Sequence, residues 1–203
     1  MRKIVLCYGD SNTWGYIPNR GLRHPEDTRW PGVLQSCLGR EYEVVEEGMN
    51  GRTAFSYYPN GNPLNGCEYL SACLHAYSSS PIAILILFLG INDIFCDRGV
   101  TVVEIAERLG ETITLAGQTN RIGQIVLMSP LAVNEQIEFA SLYELEIEKS
   151  RHFSDVYRTQ AKELSCLFVD PAEVIEASRL DGVHIDGENH IRLGKHLCEF
   201  LLG

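Results

Sequence analysis

The feature that most constrains this 203-residue chain is an unbroken apolar run at residues 82–89. The run is much shorter than the ~18 residues of a membrane span, and it lacks the alternation of a strand with one solvated face. Such a run is typical of a strand that helices cover on both faces in a parallel sheet. We therefore predict that residues 82–89 form the central strand of an α/β protein.

Three other short apolar segments predict strands at residues 4–8, 125–128 and 167–169, and an alternating segment predicts one at residues 42–47. Helical patterns alternate with them, at about residues 30–38, 67–76, 102–116, 141–164 and 189–202. This alternation predicts a three-layer α/β fold with about five parallel strands. The flavodoxin-like strand order 2-1-3-4-5 would place strands 1 and 3 side by side. The chain has no internal repeat or linker, so we expect residues 1–203 to form a single domain.

Charge and hydropathy narrow the class of protein. Lys and Arg number 17 against 27 Asp and Glu, for a formal net charge of −10 at pH 7. Nucleic acids and anionic membranes attract clustered positive charge, so we expect neither as a partner. No segment reaches the length of a membrane span, and no apolar leader precedes the first predicted strand. The sequence therefore predicts a cytoplasmic protein.

The cysteines give a weaker prediction. Their number is odd, no two are spaced as a Cys-x-x-Cys pair, and most have apolar neighbours. This pattern favours buried free thiols over disulfide bonds or zinc ligands. The cysteines are Cys7, Cys37, Cys67, Cys73, Cys96, Cys166 and Cys198.

A polar turn follows the first predicted strand, where Gly9, Asp10 and Ser11 come directly after residues 4–8. In open α/β sheets this end of a strand is where ligands bind, and the N–H groups that start the next helix are unpaired. A serine hydroxyl at such a turn can attack a carbonyl carbon while its own N–H stabilises the oxyanion. The alternative is that these residues only cap the helix.

A serine nucleophile requires a base and a group that orients the base. His184 lies three residues after Asp181, in the predicted loop before the last helix. In a turn of that length the carboxylate can accept a hydrogen bond from one ring nitrogen and leave the other to face Ser11. The alternative is a solvated loop histidine.

Two functions of other classes stay open at this point. A divalent ion held near the C-terminus would make the protein a metal-dependent hydrolase. A non-catalytic ligand-binding module on the same fold is the other alternative, because a fold does not guarantee an activity. The candidate metal ligands are Asp181, His184, Asp186, Glu188 and His190.

Four short blocks resemble those of the SGNH (GDSL-type) hydrolases, which supply Ser, Gly, Asn and His in that order. Here they are Ser11 in Gly-Asp-Ser, Gly51 in Asn-Gly-Arg-Thr, Asn92 in Gly-Ile-Asn-Asp, and His184 in Asp-Gly-Val-His. The resemblance implies that Ser11 is the nucleophile, His184 the general base and Asp181 the orienting carboxylate. It also implies an oxyanion hole formed by the N–H groups of Ser11 and Gly51 and the side-chain amide of Asn92. We expect no cofactor.

Residues 15–18, 29–34 and 46–53 look more narrowly like the arylesterase and acyltransferase branch of that family. The branch implies hydrolysis of small aryl or short-acyl esters through an acyl-enzyme intermediate, with acyl transfer to alcohols in some members. It also implies a homo-oligomer. We expect the substrate pocket to be lined by Trp14, Tyr16, Ile91 and Val183.

Three neighbours of these blocks are expected to have other roles. The family name implies leucine after the nucleophile, where this chain has Asn12. Because that side chain follows the nucleophile, we expect the difference to leave catalysis unaffected. We expect Asp93 to cap the helix after the third strand, and we assign Arg52 no catalytic role.

Overall fold

The computed structural model describes residues 2–55, 62, 64–77, 81–118 and 122–203. Five parallel strands form one sheet with the order β2-β1-β3-β4-β5, which confirms the predicted topology and places the apolar run at its centre. The strands are β1 (Lys3–Gly9), β2 (Tyr42–Gly48), β3 (Ile82–Phe88), β4 (Ile122–Met128) and β5 (Leu167–Val169).

Helices follow the strands in alternation, as the sequence predicts. Within the described residues they are α1 (Ser11–Trp14), α2 (Trp30–Leu38), α3 (Gly66–Ala76), α4 (Ile91–Cys96), α5 (Val102–Gly117), α6 (Glu144–Ser150), α7 (Phe153–Glu163) and α8 (Gly187–Leu202). Short 3-10 helices lie at Gly39–Glu41, Ala140–Leu142 and Pro171–Glu173.

The two faces of β1 show how the three layers form. Leu6 and Tyr8 pack with residues of α3, α5 and α7, whereas Val5 and Cys7 pack with residues of α2 and α8. Successive strand side chains point to opposite faces, so each strand contributes to both cores. The sheet is therefore covered on both sides, which is why its central strand shows no polar alternation.

Three details of the chain differ from the sequence pattern or extend it. The acidic segment 141–164 forms two helices, and at the last residue of α6 the Ser150 hydroxyl donates to the Ile147 carbonyl (2.8 Å) and accepts from the Val133 N–H (2.8 Å). Helices α1 and α4 are too short to show a helical period. The polar loop predicted at residues 57–66 lies mostly outside the described residues.

The prediction that the cysteines are free thiols is wrong for one pair. Cys37 on α2 and Cys198 on α8 form a disulfide, with their Cα atoms 6.2 Å apart. The two residues are separated by 161 positions, and only the packing of α2 against α8 brings them together. Cys7 and Cys73 are buried thiols, as expected. No helix in the described part of the chain is long and apolar enough to cross a membrane.

Candidate active site

Ser11 is the first residue of α1 and lies directly beyond the carboxyl end of β1. Asp10 caps this short helix, since its side chain accepts a hydrogen bond from the Asn12 N–H (2.8 Å). Burial raises the pKa of the Asp10 carboxyl to about 7, although the Asn12 N–H and the nearby His184 and Arg52 lower it. The turn holds the Ser11 hydroxyl at the sheet edge beside the start of a helix.

His184 and Asp181 lie against this hydroxyl. The Nε2 atom of His184 is 3.0 Å from the Ser11 Oγ, and its Nδ1 atom is 2.8 Å from the Asp181 Oδ2. The other oxygen of Asp181 accepts hydrogen bonds from the N–H groups of Val183 (3.1 Å) and His184 (3.0 Å). Serine, imidazole and carboxylate thus form one continuous series of contacts across 173 positions of sequence.

The charge state of Asp181 fixes the tautomer of the imidazole. Burial acts to raise the pKa of Asp181, but the hydrogen bonds from the His184 ring and from the two backbone N–H groups outweigh it and lower the pKa below its usual value. An ionised carboxylate only accepts hydrogen bonds, so Nδ1 carries the proton. The Nε2 atom is then free to accept from the Ser11 hydroxyl.

The other two residues expected to form the oxyanion hole, besides Ser11, lie beyond the ends of β2 and β3. Gly51 has φ +76°, a backbone conformation that favours glycine. Asn92 is in the first turn of α4, and its Nδ2 donates to the Arg52 carbonyl (3.0 Å). An amide nitrogen has two N–H donors, so this bond fixes the side chain and leaves one donor for a ligand.

Arg52 and Asp93 hold these segments together. Arg52 is fully buried, and its Nη1 donates to the carbonyls of Gly9 (2.9 Å) and Glu47 (2.6 Å), which joins the ends of β1 and β2. The buried carboxylate of Asp93 accepts from the N–H groups of Ala54 (2.6 Å) and Phe55 (3.2 Å).

The expectation that Asp93 caps the helix after β3 is therefore wrong. Gly90, with φ +129°, is the cap of α4. A Cβ atom at that position would lie 2.3 Å from the hydroxyl oxygen of Tyr157, so only glycine fits there. The Asp93 side chain instead bonds to the segment that follows Gly51, and it links the block that contains Gly51 to the block that contains Asn92.

A cavity of about 330 Å³ opens beside the His184 ring. The Tyr16 ring packs on the imidazole with a centroid distance of 4.3 Å, and Val183 also lines the cavity. Ile91 instead belongs to the core, and Trp14 lies outside the lining, where the Arg23 guanidinium covers its ring at 5.4 Å. The lining residues are Tyr16, Asn19, Asn92, Phe95, Val133, Ile137, Tyr143, Asp181, Val183 and His184.

The five candidate metal ligands point to separate partners. Asp181 and His184 contact each other, and Asp186 accepts from the Ser178 hydroxyl (2.9 Å). Glu188 pairs with an arginine on the next helical turn, and the buried His190 accepts from the N–H at the start of α2. In the described part of the chain no three His, Cys, Asp or Glu side chains are grouped so that they could hold a metal ion.

The fold and the site together define a class: a hydrolase with a serine, an imidazole and a carboxylate at the edge of a flavodoxin-like sheet. The chain belongs to the GDSL-like Lipase/Acylhydrolase family, whose model matches residues 7–192. It is accordingly a carboxylic ester hydrolase. None of the curated proteins matches this chain.

Several solved structures of esterases resemble this one over nearly the whole length. The native aryl esterase of M. smegmatis is 30% identical, with a TM-score of 0.87 and 98% of each chain covered. Est24, a carbohydrate acetylesterase from Sinorhizobium meliloti, is 29% identical, with a TM-score of 0.85 and 99% of each chain covered. A carbohydrate acetylesterase family member from the same organism is 31% identical, with a TM-score of 0.84 and coverage of 98% of this chain and 97% of that chain.

Sequence reasoning missed the residues that hold the blocks together. The buried side chains of Arg52 and Asp93 and the amide of Asn12 all bond to backbone groups far away in sequence. A polar residue next to a strand end gives no indication of which distant backbone it will contact. The cavity residues from the segment after β4, such as Ile137 and Tyr143, also carry no motif.

Proposed function

We propose that this protein is a serine esterase that hydrolyses short-acyl and aryl esters, with Ser11 as nucleophile, His184 as general base and Asp181 as orienting carboxylate. The observation that carries the proposal is the pair of distances on the His184 ring, 3.0 Å to the serine oxygen and 2.8 Å to the carboxylate. Both lie within hydrogen-bond reach, which is the geometric requirement for a nucleophile and its base.

In the first half of the reaction the Ser11 Oγ attacks the ester carbonyl carbon and its proton passes to the His184 Nε2. The carbonyl oxygen becomes an oxyanion that accepts hydrogen bonds from the N–H groups of Ser11 and Gly51 and from the Asn92 amide. When the tetrahedral intermediate collapses, the C–O bond to the alcohol breaks and His184 gives its proton to the leaving oxygen. An ester of Ser11 and the free alcohol result.

In the second half a water molecule gives a proton to His184 and attacks the acyl carbon. The second tetrahedral intermediate releases the carboxylic acid, and the proton returns from His184 to the Ser11 oxygen. Asp181 stays ionised throughout and stabilises the positively charged imidazole that forms in each half. This cycle requires no metal or cofactor.

The cavity lining supports small, apolar substrates. Its volume of about 330 Å³ is near the lower end of the ~300–1,000 Å³ of ligand pockets. Tyr16, Phe95 and Tyr143 present aromatic surface, and Val133 and Ile137 present aliphatic surface. Such surfaces fit an aryl or short alkyl group of the ester.

The same lining supports a second outcome for the acyl-enzyme. An apolar cavity concentrates an organic alcohol relative to water, and an alcohol oxygen can replace water as the attacking group. We therefore propose transfer of the acyl group to small alcohols as a secondary activity. Product analysis with 4-nitrophenyl acetate in buffer containing methanol should reveal methyl acetate beside acetic acid.

The primary test uses 4-nitrophenyl esters of increasing acyl length with the Ser11→Ala variant. We expect the wild type to prefer acetate and butyrate esters, and the variant to lose on the order of 10⁶-fold in kcat. The matched control is Ser129→Ala, because Ser129 is also a buried serine at a strand end and its hydroxyl donates to the Pro130 carbonyl (3.0 Å).

Two further measurements separate the proposal from its alternatives. A fluorophosphonate should add a single label to the wild type and to Ser129→Ala but none to Ser11→Ala. Treatment with EDTA should leave the rate unchanged. Retained activity in Ser11→Ala, or a rate that disappears with EDTA and returns with a divalent ion, would remove Ser11 from the mechanism.

A further inference from the structure

The side chain of Asn12 joins the two halves of the candidate active site. Its Oδ1 accepts a hydrogen bond from the Ile185 N–H (3.1 Å), and its Nδ2 donates to the Val183 carbonyl (3.2 Å). These two residues flank His184 in the chain. One buried amide, 3% exposed, thus bonds to the backbone on both sides of the histidine.

Asn12 is itself held rigidly beside the nucleophile. Its N–H donates to the Asp10 Oδ1 (2.8 Å), and its carbonyl accepts from the Trp30 Nε1 (3.0 Å). Asn12 also follows Ser11 directly in α1, so its position relative to the serine oxygen is fixed by the helix. The amide therefore sets the position of the histidine backbone with respect to Ser11.

The bonds of Asp181 do not set the position of the His184 backbone relative to Ser11. It bonds to the ring and N–H of His184 and to the Val183 N–H, all within its own loop. Those bonds orient the imidazole relative to the loop. They do not fix the distance from the loop to α1, which the two bonds of Asn12 span over 171 and 173 positions of sequence.

We propose that Asn12 is a positioning residue that sets the separation of the Ser11 Oγ and the His184 Nε2. The inference rests on the proposed function, because it assigns a role in the same proton transfer. It replaces the expectation that asparagine in place of the family's leucine leaves catalysis unaffected. Leucine at position 12 can neither accept from the Ile185 N–H nor donate to the Val183 carbonyl.

The test compares the wild type with Asn12→Leu and Asn12→Asp. Because a displacement of ~1 Å in a catalytic group costs on the order of 10²-fold, we expect Asn12→Leu to lose about 10- to 100-fold in kcat. KM should change little, since Asn12 does not line the cavity. Asn12→Asp keeps the acceptor for Ile185 but loses the donor to Val183, so its kcat should fall between those of the wild type and Asn12→Leu.

Gln35→Leu is the matched control. The Gln35 amide accepts from the Val44 N–H (2.8 Å) and donates to the carbonyls of Gly39 (3.1 Å) and Tyr42 (3.3 Å). It therefore links α2 to β2 by the same kind of bonds as Asn12, but away from His184. We expect Gln35→Leu to lower the melting temperature and to leave kcat at the wild-type level well below that temperature.

A second measurement reports the reactivity of the Ser11 hydroxyl directly. The rate at which a fluorophosphonate labels Ser11 depends on the imidazole, so it should fall in parallel with kcat in both Asn12 variants. A purely structural role predicts a lower melting temperature with kcat and labelling rate unchanged, and that result would overturn the proposal. Equal losses of kcat in Gln35→Leu and Asn12→Leu would also overturn it.

The outcomes separate this inference from the proposed function. If Ser11→Ala stays active, the esterase mechanism fails whatever the Asn12 variants do. If Ser11→Ala is inactive and both Asn12 variants match the wild type in kcat and labelling rate, the mechanism stands and the role of Asn12 is refuted. Should Asn12→Leu not fold, Asn12→Asp decides, because it keeps the size of the side chain.

Discussion

The substitution Asp181→Asn tests the proposed mechanism most sharply, because it preserves shape and removes one proton acceptor. In the wild type one carboxylate oxygen accepts from the N–H groups of Val183 and His184, and the other faces the His184 Nδ1. An asparagine at this position must direct its oxygen either to the two backbone donors or to the ring. The backbone offers two donors, whereas the ring offers one.

This competition decides the orientation of the amide, and the orientation decides the tautomer of His184. Turning the amide so that its oxygen faces the ring would leave two N–H groups opposite an NH₂ group and forfeit two hydrogen bonds, each worth ~1 kcal/mol. The favoured orientation therefore places the NH₂ group against Nδ1, which makes Nδ1 an acceptor and puts the proton on Nε2. A protonated Nε2 cannot take the proton of Ser11. We expect kcat to fall by ~10⁴-fold, equivalent to ~5 kcal/mol of lost transition-state stabilisation.

The assay is the steady-state hydrolysis of 4-nitrophenyl acetate, with Asp186→Asn as the matched control. Asp186 lies in the same loop but accepts from the Ser178 hydroxyl (2.9 Å). The control should therefore retain the wild-type kcat, and both variants should remain folded by circular dichroism. An Asp181→Asn enzyme with kcat within about tenfold of the wild type would refute the role of the carboxylate in fixing the tautomer.

Three further predictions concern the oxyanion, a buried histidine and the disulfide. Asn92→Ala should lower kcat by ~10²–10³-fold with little change in KM, measured with the same ester, because it removes one oxyanion donor. Burial lowers the pKa of His190 from 6.5 to about 3. Below pH 6.5 the unfolded chain therefore binds a proton that the folded protein does not, and the free energy of unfolding decreases as the pH falls. The free energy of unfolding in urea should drop by ~2 kcal/mol between pH 7 and pH 5, and His190→Asn should show a smaller drop. Reduction of the Cys37–Cys198 bond, which links residues 161 positions apart, should lower the free energy of unfolding by up to ~5 kcal/mol; an unchanged urea midpoint would show that the bond does not form in solution.

The sequence was sufficient for the sheet and for placing the four blocks at the ends of its elements. An apolar run without alternation requires cover on both faces, and β3 is indeed buried along almost its whole length at the centre of the sheet. The four blocks lie at element boundaries, so the strand order alone brings Ser11, Gly51 and Asn92 to one edge. This part of the prediction succeeds because it depends on local pattern and on the few topologies that parallel sheets allow.

The contacts that hold the site together could not be predicted from local pattern and strand topology. Arg52 and Asn12 bond to backbone groups. Every residue has such groups, so the sequence does not show which of them a given side chain will contact. The same difficulty affected Asp93, since a carboxylate after a strand is as well suited to a helix cap as to a distant pair of N–H groups. Which partner it takes depends on the three-dimensional path of residues 51–55, which local propensity does not determine.

The position of His184 also depends on packing far from the chemistry. Its loop follows β5 at the edge of the sheet, yet it must reach β1, which lies three strands away in the order β2-β1-β3-β4-β5. Helix α8 makes this return possible because it crosses back to pack against α2. The approach is close: a Cβ atom at Gly194 would lie 2.7 Å from the Trp30 carbonyl oxygen and 2.7 Å from the Val33 Cβ. The absence of a side chain at Gly194 thus allows α8 to pack closely against α2. This packing places the loop that precedes α8 next to Ser11.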